Sequence, residues 1–262
     1  MTLLSVRELS RSFFGLDAVQ DVSFEIPAGA VHSIIGPNGA GKTTLFNVVT
    51  GLYRPTRGQV HLAGEDITGA EPSALARRGL SRTFQNLQIF FNMPALENVM
   101  VGAHVHSDCR LASALFRLRG MGRRERAAAD EARRLMEQVG LGAYVGAEAS
   151  AMPYGALKRL EIARALASRP RLLLLDEPAA GLNPAEAVEI ENLIRQIARS
   201  GVTVLLVEHN MRLVMAVSER VLVLDRGRLL ADGTADEVRA NPAVVRAYLG
   251  TRNAGKKMAV HA

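Results

Sequence analysis

Leu4, Val6 and Leu9 predict a first strand, and Val22, Phe24 and Ile26 alternate cleanly as a second, half-exposed one. Residues 31–35 form a largely apolar run that ends in Gly36-Pro37-Asn38-Gly39, a strand followed by a turn. A helix is predicted from Lys42 to about Thr50, with Gly51 suited to its C-terminal cap. Val60 and Leu62 predict another strand ahead of the turn-rich residues 64–69. From about residue 96 to 169 the rhythm becomes helical, with Ala, Arg and Glu abundant and few β-branched runs. Two continuous apolar runs follow, at 172–175 and 202–207, the pattern of parallel strands covered on both faces. Residues 186–198 between them read as a helix, which makes a β-α-β unit, and short strands at 221–224 and 229–231 flank Arg226-Gly227. There is no internal repeat and no low-complexity tract. The pattern predicts an α/β core with a helical insertion and a loose C-terminal end.

Composition narrows the class. Hydrophobic residues make up 48% and charged residues 22% of 262 positions, ordinary for a globular chain long enough to bury a substantial core. No apolar run approaches the roughly 18 residues that a membrane-crossing helix needs. The first residues include Arg7 and Glu8 and no extended apolar stretch, so no secretory leader is expected. The single cysteine, Cys109, excludes an internal disulfide and fits a reducing cytoplasm. Lys and Arg total 32 against 26 Asp and Glu, a net charge of +6. Much of that excess lies between Arg110 and Arg134, and some in the tail at Arg252, Lys256 and Lys257. Charge alone does not choose among nucleotide phosphates, anionic lipid and nucleic acid, and the plain reading of the two clusters is a solvated face and a loose end.

Gly36-Pro37-Asn38-Gly39-Ala40-Gly41-Lys42-Thr43 is the full strand-loop-helix phosphate-binding pattern, with Thr44 following in the helix. Glycines let backbone N–H groups turn inward, and the helix that opens at Gly41 aims its positive end at the phosphates. Lys42 supplies a charge for the β- and γ-phosphates, and the Thr43 hydroxyl suits Mg²⁺. An incidental glycine turn is the plain alternative; the apolar run before the loop and the helix after it argue against that. Kinases and GTPases carry the same loop, so it fixes a nucleotide site and not a reaction.

Leu172-Leu173-Leu174-Leu175-Asp176-Glu177 puts two acids at the C-terminal end of a buried strand, outside which ligands of parallel sheets bind. Asp176 suits Mg²⁺, and Glu177, one residue further on, suits a general base for water. Without the phosphate loop upstream, the pair would read as the start of an ordinary loop.

With these residues in place, the chain resembles the ATP-binding-cassette family over almost its whole length. Phe13 sits where the family stacks an aromatic on adenine. Gln85, in Arg82-Thr83-Phe84-Gln85, matches the glutamine that reaches Mg²⁺ and the attacking water. Met152-Pro153-Tyr154-Gly155-Ala156 stands at the signature loop, and residues 178–183 match the dimer-contacting loop. His209, in Val207-Glu208-His209, matches the histidine that contacts the γ-phosphate. Within the family the chain is most similar to ATPases of branched-chain amino-acid uptake systems. That likeness rests on Arg82-Thr83-Phe84-Gln85-Asn86-Leu87, Tyr154-Gly155, Pro178-Ala179-Ala180-Gly181-Leu182-Asn183-Pro184, Glu208-His209-Asn210-Met211 and the ending from Asn241-Pro242 to Tyr248-Leu249-Gly250.

The resemblance implies an α/β fold, a P-loop nucleotide-binding core with a mostly parallel sheet, an antiparallel β subdomain and an inserted α-helical subdomain. One domain would then comprise core and β subdomain at 1–95, helical subdomain at 96–169, core again at 170–235, and a C-terminal helix and tail at 236–262. It implies ATP and Mg²⁺ as cofactors. Catalysis falls to Glu177, His209, Lys42 and Gln85, metal binding to Thr43, Gln85 and Asp176, and nucleotide contacts to Phe13, residues 36–44, Tyr154 and Gly155. The implied activity is ATP hydrolysis coupled to import of branched-chain amino acids or related small polar substrates. The implied partners are integral membrane permease subunits, a second cassette ATPase and, indirectly, an extracytoplasmic substrate-binding protein, at the cytoplasmic face of the cell membrane. No nucleic-acid partner is expected. A groove beside the helical insertion would take a short helix of the permease, with residues 87–93 and Leu96 as its apolar surface; ordinary core is the other reading of those residues.

The signature departs from the family's general Leu-Ser-Gly-Gly-Gln. Pro153 removes both a serine hydroxyl and a backbone N–H, Tyr154 replaces a glycine and Ala156 a glutamine. Because a signature closes on the nucleotide of the other subunit in the family, these departures point to an asymmetric pair, a heterodimer with a non-identical ATPase, and a homodimer is the alternative. Asn183 stands where many members carry Asp and keeps hydrogen-bonding capacity. Two other readings stay open within the family: an exporter of lipid or lipopolysaccharide, and a soluble member acting on nucleic acid or ribosomes.

Overall fold

The computed structural model describes residues 1–106 and 121–249. Cys109, the basic stretch from Arg110 as far as residue 120, and the tail charges Arg252, Lys256 and Lys257 lie outside the described residues. The chain divides into two compact units, Met1–Ala70 with Leu205–Ala262, and Glu71–Val204.

In the first unit β1 (Thr2–Phe13) and β2 (Leu16–Pro27) pair antiparallel, with Val6 opposite Phe24 and Leu9 opposite Val22. β1 also pairs antiparallel with β4 (Arg57–Leu62), and β4 with the short β5 (Glu65–Asp66), giving a four-stranded sheet in the order β2-β1-β4-β5. Val22, Phe24 and Ile26 are buried between exposed neighbours, as period-two alternation requires of a sheet with one covered face. Both strands run beyond the predicted segments because their pairing continues to the Phe13–Leu16 pair at the tip of the hairpin.

The same unit holds β3 (Val31–Ile35), which lies parallel to β9 (Arg220–Asp225) with His32 opposite Arg220 and Ile35 opposite Val223. β10 (Arg228–Gly233) pairs antiparallel with β9. All five residues of β3 are buried, the polar His32 and Ser33 among them. α1 (Lys42–Val49) follows β3; α7 (Met211–Val217), α8 (Ala235–Ala240) and α9 (Pro242–Leu249) complete the unit. Ile35, Val214, Val221, Val223, Val238 and Val244 make one cluster of its core.

In the second unit β6 (Leu80–Arg82) and β7 (Leu172–Asp176) are parallel, with Leu80 opposite Leu172 and Arg82 opposite Leu174. β7 is buried throughout. Its helices are α2 (Pro72–Arg77), α3 (Ala95–Ala103), α4 (Met121–Gln138), α5 (Tyr154–Ala167) and α6 (Pro184–Arg199). The sequence pattern misses β6 and α2, both too short to show a period. α6 starts before the predicted Glu186 because Asn183 caps it: Asn183 Oδ1 accepts from the Ala185 and Glu186 N–H groups at 2.9 and 3.0 Å, and the Glu186 carboxylate accepts from Asn183 N–H at 3.0 Å. The chain passes from this unit to the other inside β8 (Thr203–Val207), again wholly buried. The α/β fold with parallel strands, an antiparallel sheet and a helical part is therefore as the sequence predicts. No helix among the described residues is long and apolar enough to cross a membrane.

Candidate functional site

The first unit carries the loop that the sequence pattern assigns to phosphate. Buried β3 delivers the chain into residues 36–41, and Gly41 opens α1 in a left-handed conformation (φ 98°) with no side chain capping the helix. The first-turn N–H groups of α1 therefore lack a side-chain acceptor from the cap and suit an anion. A Cβ at Gly36 would collide with the Leu224 carbonyl oxygen and one at Gly41 with that of Ala18, so only glycine fits at either place. Within the turn Ala40 N–H donates to Pro37 O at 3.1 Å, and from outside Gly227 N–H donates to Ala40 O at 2.9 Å and Gln20 N–H to Gly227 O at 2.7 Å. Lys42 Nζ folds back over the loop, donating to the carbonyls of Gly36 at 2.7 Å and Pro37 at 3.1 Å. Asn38, Gly39 and Thr43 are exposed, Pro37 and Thr44 half-buried, and Ala40 buried.

Phe13, half-buried at the end of β1, belongs to an aromatic and cationic group that the sequence did not reveal. Tyr53 meets it edge-on with ring centroids 5.3 Å apart, and the Arg11 guanidinium lies 4.5 Å over its ring. His209 follows β8 with its side chain 66% exposed. Its backbone is fixed by the buried Glu208 carboxylate, which accepts from the His209 and Asn210 N–H groups at 2.9 and 3.0 Å. Asn210 then caps α7 through its side chain, accepting from Leu213 N–H at 3.3 Å. Glu208 was legible only as part of a motif; its burial gives it this bracing task.

The second unit carries the acids. Asp176, the last residue of β7, is buried, and Arg82 donates to its Oδ2 at 2.8 Å. Glu177 has φ 48°, uncommon for a residue with a side chain, and Gln85 Nε2 donates to its Oε2 at 3.3 Å. Glutamine and glutamate, far apart in sequence, thus come together.

α5 begins at Tyr154 with Pro153 at its N-cap and no side-chain cap. The Tyr154 ring lies across Gly181, where a Cβ would stand 3.2 Å from its Cε1. Gly155 abuts Glu186, where a Cβ would stand 2.5 Å from Oε1, so the signature segment rests on the loop that leads into α6. Three charged residues of α5 then hold the segment after β6. Buried Lys158 donates to Gln85 O at 3.2 Å, and Glu161 Oε1 accepts from Phe84 N–H at 3.3 Å. Arg164 donates to Gln88 O and reaches Glu161 at 3.9 Å. Burial pushes the Glu161 carboxyl above its ordinary range, and the Phe84 N–H, Arg164 and Lys158 oppose that rise.

Beside this ladder runs a groove of about 410 Å³ walled by Arg82, Phe84, Leu87, Phe90, Glu161 and Arg164, among others. Leu87, Ile89 and Phe90 face it as the sequence suggests, whereas Met93 and Leu96 are not on its wall. Its charged members come from β6 and α5, too far off in sequence for an apolar pattern to show.

A family model described as ABC transporter matches residues 19–180, and one described as branched-chain amino acid ATP-binding cassette transporter matches residues 228–254. The chain belongs to the ABC transporter family. It is an ATP-binding and ATP-hydrolysing cassette of that family. The cassette is 45% identical over 249 residues to the high-affinity branched-chain amino acid transport ATP-binding protein BraF of Pseudomonas aeruginosa, covering 95% of this chain and 98% of that one. It is 43% identical, over the same shares, to LivG of Escherichia coli, of the same description. The lipopolysaccharide export system ATP-binding protein LptB of Acidithiobacillus ferridurans is 36% identical, over 95% of this cassette and 97% of the relative. Among solved structures, a nucleotide-free ATP-binding cassette from an ABC transporter matches with a TM-score of 0.83 at 31% identity, covering 95% of this chain and 100% of that one. These relatives are by name ATP-binding proteins of transport systems.

Proposed function

We propose that this cassette energises the import of branched-chain amino acids or related small polar substrates, from the cytoplasmic face of the cell membrane. The observation that carries this reading is the 45% identity to BraF across 95% of the chain, extended by the branched-chain match at residues 228–254.

In this reading residues 36–41 cradle the phosphates of ATP with Lys42 as the fixed charge, Thr44 stands in the helix behind them, and Phe13 stacks on the adenine. The loop's fit to phosphate is supported by the close approaches at Gly36 and Gly41 and by the uncapped start of α1. Thr43, Gln85 and Asp176 would hold Mg²⁺; they offer the oxygen donors that this hard cation takes. Bound there, Mg²⁺ supplies neutralising charge beside the β- and γ-phosphates. Glu177 accepts the proton of the attacking water, oriented by the Gln85 amide, and His209 with Lys42 stabilises the charge that develops on the γ-phosphate. Tyr154, Gly155 and the start of α5 face the nucleotide of a second ATPase subunit. With Pro153 and Ala156 in its signature, that partner is a different chain, and the two composite sites turn over unequally. The groove receives a short helix of the permease, and an extracytoplasmic binding protein delivers the cargo to the other side.

The test is to tag the chain, solubilise native membranes in mild detergent and identify what is recovered with it, then to measure uptake of labelled leucine in cells carrying Glu177→Gln. Two polytopic membrane proteins, a second cassette and lost leucine uptake support the proposal. Recovery with lipopolysaccharide-export components, to which the likeness to LptB points, replaces the cargo. Recovery only from the soluble fraction with ribosomes or nucleic acid overturns it.

A further inference from the structure

We propose that Arg82 is a positioning residue for the Asp176 carboxylate and ties it to the wall of the groove. The inference rests on the reading of Asp176 as a carboxylate on the Mg²⁺ side of the nucleotide.

β6 and β7 are parallel with Arg82 opposite Leu174. Side chains along a strand return to the same face every second residue, so Leu174 and Asp176 share a face with Arg82 beside them. The guanidinium needs only to lean along the strand to reach Oδ2 at 2.8 Å. The side chains are 8% and 5% exposed, so neither charge is screened by bulk water. Thr83 fixes the same spot through the backbone: its N–H donates to Leu174 O at 2.9 Å and its Oγ1 accepts from Asp176 N–H at 3.3 Å. Two consecutive residues of one segment therefore set both the strand end and the carboxylate it carries.

A carboxylate held through one oxygen keeps the lone pairs of the other for a second partner, and its plane is decided before that partner arrives. Groups that orient a metal-side ligand in this way tune metal affinity without touching the metal. Arg82 has a second face. Its guanidinium lies 5.0 Å over the ring of Phe84, which is 38% exposed, and both residues wall the groove. Displacing Phe84 therefore moves the group that orients Asp176. A cation beside a carboxylate also repels a divalent ion, so the sign of the effect separates orientation from competition.

The full-length chain is titrated with a fluorescent ATP analogue in EDTA and then at rising Mg²⁺. Arg82→Gln is expected to leave analogue affinity in EDTA within about twofold and to raise the half-maximal Mg²⁺ concentration about tenfold, the low end for outer-shell losses. Arg82→Lys keeps the buried charge, and so the fold, and is expected to raise the midpoint about threefold; it remains readable if the glutamine variant fails to fold. Phe84→Ala is expected to shift the midpoint the same way by about threefold. A midpoint unchanged or lowered in the arginine variants overturns the positioning role, and an unchanged midpoint in Phe84→Ala overturns the tie to the groove. Asp176→Asn is the control for the underlying reading. If its Mg²⁺ dependence matches wild type, the assignment of Asp176 fails. If it is altered while the Arg82 variants are not, only the present proposal fails.

Discussion

The phosphate loop of the first unit and the α5 ladder of the second use opposite materials. The loop is built from backbone: N–H and C=O groups of its own residues and of Gly227, with glycines where Leu224 and Ala18 leave no room for a side chain. The ladder is built from side-chain charge: Lys158, Glu161 and Arg164, one per turn of α5, hold a segment about seventy residues away in the chain. A backbone site tolerates many side chains but no added atom at its close approaches. A buried charge network tolerates small changes of shape but not the loss of a partner.

The largest expected effect comes from breaking the ladder. Glu161→Leu leaves the Phe84 N–H without its acceptor and Lys158 and Arg164 without their countercharge, and should cost about 3–5 kcal/mol, read by denaturant unfolding. A loss below about 1 kcal/mol would show that water or a neighbour replaces it and that the two regions differ less than their geometry suggests.

Gly36→Ala attacks the other region. The methyl group meets a backbone carbonyl that cannot rotate away, so the loop must shift at a cost of about 1–3 kcal/mol. Taken from nucleotide affinity, that is a loss of about five- to 150-fold, measured by equilibrium binding of an ATP analogue. Retained affinity would mean that the phosphate cradle is softer than its packing.

Acidity sharpens the contrast. Burial raises the Glu161 carboxyl above its usual 4.5. A carboxyl raised on folding contributes fully below its unfolded value and loses that contribution as pH rises through the folded one. The stability of wild type relative to Glu161→Gln should therefore fall as pH rises from about 4 toward neutral. A difference flat with pH would place Glu161 nearer water than its burial indicates.

The smallest effect is expected at the join of the signature segment with α6. Asn183→Ala removes a cap that accepts two N–H groups and should cost about 1 kcal/mol, a melting shift of about 2–4 °C for a chain of this size. A larger loss would show that the rest of Glu186 against Gly155 depends on the cap.

Strands β7 and β8 were legible because burial on both faces leaves a nearly unbroken apolar run, and β2 because one covered face leaves alternation; β3 buries His32 and Ser33 within its run, and register shifts break the alternation of β1. β6 and α2 were not, since three and six residues give no period to read. Tyr53 and Arg11 around Phe13, and Arg82 on Asp176, escaped notice for another reason. Each joins residues whose spacing in the chain carries no regularity.

By itself the sequence determined the longer strands and helices of this cassette, its phosphate-loop motif and the family to which it belongs, because those depend on local period and on residue patterns within a few positions of one another. Tertiary structure alone decided that Arg82 meets Asp176, that Glu161 is buried yet partnered, and that Glu208 braces His209. The energy of a buried charge depends on what folding brings within a few ångströms of it, and no local pattern records that distance.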